Sequence, residues 1–279
     1  MLTYSYYRNA VKITERMGSG VAPNKGRTDL LMDMELLLSP IDKHKFVTKK
    51  KGICIVIPNY LIDLTNEEEE IYQNIKKNTK YKINRARNRD ELNLVNLTAP
   101  SDNQIEAFTA FYNPFAKERD LRGCDEGKLK AIRDQGSLVM TYVTDQESRV
   151  LCYHVYQTDQ HQAYLIYSAS RRYANEENLD RNMIGRANRY LHWEDMRLFK
   201  SLGCAWYNFG GKVLNPDDKG GQNVNRFKLE FGTVEGYDAR RYTSCSLLGK
   251  VVMFLFYMKW KNTHAYQFTI SSQNLTSEA

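Results

Sequence analysis

The chain has 279 residues, enough for one large domain or two ordinary ones, of which 42% are apolar, 26% charged and 12% aromatic. A core of useful size can form, which excludes a peptide hormone, a disulfide knot and global disorder. Forty Lys and Arg against 33 Asp and Glu leave a net charge of +7, favouring an anionic partner such as a phosphate, a nucleotide, RNA or a lipid headgroup. The five cysteines (Cys54, Cys124, Cys152, Cys204 and Cys245) are odd in number and show no CxxC spacing, as expected of reduced thiols in a cytoplasm. The N-terminus lacks the apolar core of a signal peptide, and no stretch approaches the ~18 apolar residues of a membrane span, so a cytoplasmic location is expected.

The first 50 residues offer a Gly-rich loop, MGSGVAPNKGRTD, and a short apolar stretch ended by Pro40. Gly52 to Pro58 is β-branched and reads as a buried strand. Thr65 and Asn66 precede four glutamates in what would be a first helical turn, a favourable place for acids on the helix dipole. From Ile71 to Arg89 the spacing predicts one helix, with Ile71, Ile75, Thr79 and Ile83 on a face and seven cations from Lys76 to Arg89 without a balancing acid.

Beyond it, a strand is expected at Leu92–Leu97, helices at Ser101–Arg119 and Glu126–Arg133, and a meander at Leu138–Val143, Arg149–Tyr156 and Ala163–Ala169. A long helix follows from Arg181 to Leu202, closed by Gly203, then strands at Ala205–Phe209 and Val234–Tyr242. Hairpins mixed among alternating helices and strands give an α+β, mixed α/β class. Asn262 to Ala279, rich in Ser, Thr, Asn and Gln, reads as a loosely held tail.

Three features bear on chemistry. The basic helix either presents a solvated face or binds a polyanion such as RNA. The junction Asn182-Met183-Ile184-Gly185-Arg186-Ala187 opens a helix after a strand and a polar loop, a place where free backbone N–H groups receive phosphate. Asn182-x-x-Gly185-x-Ala187 is similar to the Q/R-x-x-G-x-G/A loop that holds acyl-CoA pyrophosphate in the GNAT acyltransferase superfamily. Finally, Trp193-Glu-Asp-Met196, Lys200-Ser-Leu-Gly203, Tyr207-Asn-Phe-Gly-Gly211 and Asn225-Arg-Phe-Lys228-x-x-Phe-Gly232 resemble, in order, blocks of the FemABX-like branch of that superfamily. Ile62-Asp-Leu64 and Lys76 to Ala86 match its N-terminal elements.

The resemblance implies a largely antiparallel GNAT-like sheet flanked by helices in residues 96–245, behind a reduced N-terminal unit at 1–95. It also implies transfer of an acyl or aminoacyl group, from acyl-CoA or from aminoacyl-tRNA, to an amine of an anionic, nucleotide- or lipid-linked cell-envelope glycan or peptidoglycan precursor. The amine must lose a proton and an oxyanion must be steadied. Glu194 and Asp195 are the candidate bases, and Tyr167 and Tyr207 the candidate acids for the leaving group. Residues Asn182 to Ala187 are the candidate donor-binding set. Lys77, Lys80, Arg85, Arg226, Lys228, Gly210 and Gly211 are candidates for holding the anionic substrate. His154 and His192 are expected to be structural, and no metal site is implied.

The segment 247–261 carries eight consecutive apolar or aromatic residues between lysines. Too short to span a bilayer, it is either a core-packed helix or an interfacial anchor. From another class, a noncatalytic basic module that binds RNA or a membrane surface would also use the basic helix and this segment.

Overall fold

The computed structural model describes residues 1–18, 27–40, 42, 43, 46, 52–171 and 180–271. In chain order the strands are β1 (Leu2–Arg8), β2 (Val11–Met17), β3 (Leu30–Leu37), β4 (Ile53–Asp63), β5 (Asn93–Leu97), β6 (Leu138–Thr144), β7 (Val150–Thr158), β8 (Gln162–Ser170), β9 (Trp206–Gly211) and β10 (Val234–Ser244). The helices are α1 (Glu68–Asn74), α2 (Lys77–Arg89), α3 (Asp102–Glu118), α4 (Glu126–Arg133), α5 (Arg181–Ser201), α6 (Lys219–Leu229), α7 (Leu247–Trp260) and α8 (His264–Ser271). The fold is α+β with largely antiparallel strands, as the sequence pattern implies. Two compact units form, one from Met1–Leu61, Phe209–Leu229 and Thr233–Ala279, the other from Ile62–Asn208 and Glu230–Gly232.

In the first unit the strand order is β1-β2-β3-β10-β4, with β2 and β3 parallel and the other neighbours antiparallel. Strand β1 has period-2 burial, Leu2, Tyr4 and Tyr6 lying inward. The hydroxyls of Tyr4 and Tyr6 donate to Glu15 at 2.5 and 2.6 Å, so a carboxylate 4% exposed is held by two donors. An inward set of tyrosines facing a glutamate does not look like a buried hairpin in sequence, which is why β1 and β2 escape pattern reading. Because β10 lies between β3 and β4, the C-terminal part of the chain completes the N-terminal strands. The packing therefore divides the chain by strand pairing and not at residue 95. Within the expected tail, α8 is held by Thr269, whose buried hydroxyl accepts from the Val56 amide at 3.1 Å and donates to the Val56 carbonyl at 3.2 Å. Residues 272–279 of that tail, 19–26 of the Gly-rich loop and 172–179 before α5 lie outside the described residues.

In the second unit the order is β9-β8-β7-β6-β5, the last four antiparallel, with β6 to β8 forming a meander. Helix α3, opened by a reciprocal Ser101–Gln104 capping box, covers one face, where Phe108 meets Tyr153 and Tyr167. Helix α5 covers the other: Ile184, Ala187 and Leu191, at helical spacing, pack with Val143, Leu151 and Cys152. Helix α2 packs in turn on α5.

The helix expected over 71–89 is two helices. Ile75 and Lys76 are extended, with ψ of 136° and 141°, because Ile75 is buried and the Lys76 amide donates to the Glu230 carbonyl at 2.9 Å. Gly232 adopts φ +74°, and a Cβ there would come within 2.6 Å of the Asn74 carbonyl oxygen. The glycine that closes the R-F-K-x-x-F-G block is thus required by a backbone-to-backbone approach at the α1–α2 break.

Candidate active site

The sheet-facing side of α5 carries a polar network in the second unit. Asn188, His192 and Asp195 recur at helical spacing, and His154 and Tyr156 point to the same face of β7 because they are two residues apart. Tyr207 joins them from β9. His154 Nδ1 lies 2.7 Å from Asp195 Oδ2, and Tyr156 donates to the same oxygen at 2.6 Å. Tyr156 and Tyr207 hydroxyls are 2.6 Å apart, and His192 Nδ1 lies 2.7 Å from Tyr207 Oη. His154 Nε2 reaches Asn188 Oδ1 at 3.0 Å. Asp195, His154, Tyr156 and Tyr207 are 0% exposed.

Counting hydrogens fixes the direction of this chain. Tyr156 has one hydroxyl proton and gives it to Asp195, so Tyr207 must donate to Tyr156, and His192 Nδ1–H must donate to Tyr207. Burial, and then the Asp195 charge, hold both tyrosine hydroxyls well above their usual pKa, so they remain donors. Asp195 Oδ1 has no hydrogen-bond partner among the described residues. Ligand atoms of His154, His192 and Asp195 all lie within 4.8 Å of one another, a grouping that could hold a metal ion that the sequence does not imply. His154 Nδ1, His192 Nδ1 and Asp195 Oδ2 are engaged in hydrogen bonds, which a metal bound through them would displace.

Beside this network the sheet opens. The parallel β8–β9 ladder pairs only Gln162–Tyr164 with Trp206–Asn208, while β8 continues to Ser170. From Leu165 onward β8 is paired with β7 on one side and has no strand partner on the other among the described residues. A strand edge without a partner strand can pair with an extended ligand. Helix α5 begins close in sequence after this edge.

The sequence-predicted residues fall into separate places. Asp195 and Tyr207 meet through Tyr156. Glu194 turns to the α2 side and pairs with Arg87 and Arg197, each at 2.8 Å, so it is neither solvent-facing nor part of the network. Tyr167 lies on the opposite face of the sheet, 4.7 Å from Tyr112 between ring centroids, and its hydroxyl accepts from the Asp125 amide. Burial pushes its pKa up to about 12. The alternation of β7 and β8 separates it from Asp195, a distinction that spacing along the chain does not reveal.

Of the candidate donor-binding set, Asn182 is exposed, with its amide held by the Asp180 carboxylate at 2.8 Å. Met183, Ile184 and Ala187 pack in the core, and Arg186 forks onto Asp90 at 2.6 and 2.9 Å. Gly185 has open space where a Cβ would stand, and its carbonyl accepts from Arg189. Most of the motif therefore serves α5 packing, and a carboxylate caps the helix end that would otherwise meet an anion.

Lys77 and Arg85 are exposed on α2, and Lys80 donates to the Gln73 carbonyl at 3.1 Å over the Tyr72 ring. Lys228, Gly210 and Gly211 come together in the first unit. The Lys228 ammonium donates to the two glycine carbonyls at 3.1 and 2.8 Å, and burial lowers its pKa to about 8, against the opposing charge of Asp238. Lys228 is only 8% exposed, whereas Arg226 is exposed and bonded to Asn223. A surface phosphate contact fits Arg226 and not the enclosed Lys228. The residues that sequence reasoning left out of the site, Tyr156 and Asn188, share their spacing with His154 and Asp195 and are recognisable only once β7 and α5 are known to face each other.

A separate surface cavity of about 200 Å³ is lined by Glu68, Glu69, Tyr72, Asn84, Arg87 and Trp193. The Tyr72 and Trp193 rings meet edge-on at 4.9 Å there.

No protein-family model matches the chain, and no curated protein does. Solved structures do. FemX superposes with a TM-score of 0.53 at 12% identity, over 65% of this chain and 61% of FemX. The C-terminal DUF2156 domain of a putative lysylphosphatidylglycerol synthetase from Agrobacterium fabrum gives 0.52 at 11% identity, over 92% of this chain and 84% of that one. The chain thus spans less than two thirds of the length of FemX, and the likeness it shares with both proteins is one of fold.

Proposed function

We propose that the protein is a GNAT-like acyltransferase that moves an acyl or aminoacyl group onto an amine. The observation that carries this reading is the β8 edge, without a partner strand from Leu165 onward among the described residues, in a fold shared with FemX and a lysylphosphatidylglycerol synthetase domain. The amine lone pair attacks the carbonyl carbon of a thioester or ester. The carbon–sulfur or carbon–oxygen bond then breaks, and the leaving thiolate or ribose oxygen takes up a proton while the amine gives one up. Backbone donors along the β8 edge would orient the donor's amide groups and steady the oxyanion. Asp195 and Tyr207 are positioning residues in this scheme: fully enclosed, they fix α5 against β7 and β9 and do not touch substrate.

The acceptor we favour is the amino group of an anionic, nucleotide- or lipid-linked envelope glycan or peptidoglycan precursor, handled in the cytoplasm. Acyl-CoA is the favoured donor, its extended amide-bearing arm lying along the β8 edge. Aminoacyl-tRNA is the second reading, favoured by the exposed Lys76, Lys77, Arg85 and Arg89, for which no carboxylate partner occurs among the described residues. A thermal-shift screen separates the two: a donor at 100 times its dissociation constant stabilises by ~2.7 kcal/mol, and only the true donor should also slow hydrogen exchange at Leu165–Ser170. Neither effect with acyl-CoAs or tRNA would remove the acyltransferase reading. Binding of RNA with a steep salt dependence and no protection of β8 would favour the noncatalytic basic module.

A further inference from the structure

Helix α7 is apolar around its circumference, and such a helix is ordinarily enclosed. One side is enclosed: Gly249 and Trp260 are buried, and Phe256 meets Tyr242 of β10 with ring centroids 5.2 Å apart. The other side is open, with Leu247, Leu248, Val251, Phe254, Leu255 and Met258 between 41% and 80% exposed. At 3.6 residues per turn these six fall within an arc of about 120°. Lys250 borders the arc on one side and Lys259 on the other, with Lys261 just past the helix end. No Asp or Glu occurs between Asp238 and Glu278.

The helix is fixed to its unit and does not expose these residues by fraying. Ser246 caps it, accepting from the Gly249 amide at 3.0 Å and donating to Asp29 at 2.5 Å. A Cβ on Gly249 would fall 2.0 Å from the Asp29 carbonyl oxygen, so the first turn lies directly on that backbone.

We propose that this face seats in the interfacial layer of an anionic lipid bilayer. Fourteen residues reach ~21 Å, too short to cross ~30 Å of hydrocarbon but well suited to lying flat. The apolar arc enters the acyl boundary while the flanking lysines meet lipid phosphates, the arrangement of an interfacial helix. Charge selects this occupant over a second copy of the chain, since a twofold contact would gather the lysines of both copies with no acid on either helix to answer them.

The test is flotation of the full chain with vesicles of phosphatidylcholine alone or mixed with phosphatidylglycerol, at low and high salt and without acyl donor, so that its outcome is independent of the acyl-transfer reading. The chain should float with the mixed vesicles and be partly released by salt. Lys250→Gln, Lys259→Gln and Lys261→Gln should each weaken that binding about fivefold. The double change Phe254→Ser, Leu255→Ser should weaken it by more than about tenfold while leaving the thermal midpoint in place, because both side chains are exposed. Wild-type protein that floats with neither preparation, or equally with both, would overturn the proposal. So would light scattering that finds a lipid-free dimer which the double change converts to monomer, since the face would then belong to a second copy.

Discussion

Helix α5 has two polar faces that differ in kind. Toward α2 and α1 it makes ion pairs at the surface: Arg87 and Arg197 with Glu194, and Arg197 with Glu68 at 2.7 Å. Toward the sheet it buries Asp195 among His154, Tyr156 and, through Tyr156, Tyr207. Glu194 and Asp195 are adjacent in the chain and chemically alike, yet the first meets two arginines that reach solvent and the second meets only enclosed groups. Surface pairs are replaceable, whereas a buried carboxylate whose partners are all protein groups is tied to the geometry of the fold.

Breaking the buried face should have the largest effect. Asp195→Ala leaves the Tyr156 hydroxyl and the His154 ring without their acceptor and is expected to cost about 3–5 kcal/mol, read as a lowered urea midpoint. If Asp195 behaved like its neighbour, the loss would stay within about 1 kcal/mol.

Lys228 extends the same contrast to a buried cation. Its folded pKa of about 8 lies below the ordinary 10.5, so between these values the unfolded chain binds more protons than the folded one, and stability rises with pH. Wild type should gain about 3 kcal/mol across that window relative to Lys228→Met, because in the variant this titration is absent. Parallel pH profiles would place the Lys228 ammonium in water.

On the surface face, Glu194→Gln should cost only about 0.5–1 kcal/mol, and less in high salt. Smallest of all for stability should be Lys77→Gln with Arg85→Gln, two exposed side chains whose loss leaves the melting temperature unchanged. If α2 meets a polynucleotide, the same pair should lower the log–log salt slope of binding by ~0.7–0.9 for each lost phosphate contact.

Most elements were legible in the sequence because their periodicity is strong: the meander, α3, α4 and α5 all lie where apolar spacing and capping residues put them. Strands β1 and β2 were not, since tyrosines and a glutamate fill their inward positions. The division into units was hidden for a different reason. The pairing of β10 with β3 and β4 joins residues 173 to 214 positions apart, which local pattern cannot report. At the site, Asp195 and Tyr207 were legible as residue types, and only the facing of α5 and β7 shows that Tyr156 links them while Tyr167 stands across the sheet.

The most direct measurement is transfer of label. Purified protein, labelled acyl-CoAs or charged tRNAs, and amine-bearing nucleotide- or lipid-linked envelope precursors should yield an acid-stable amide product, with release of free CoA or deacylated tRNA in equal amount. No amide from any donor and acceptor, by a protein verified to be folded, would contradict acyl transfer as its function.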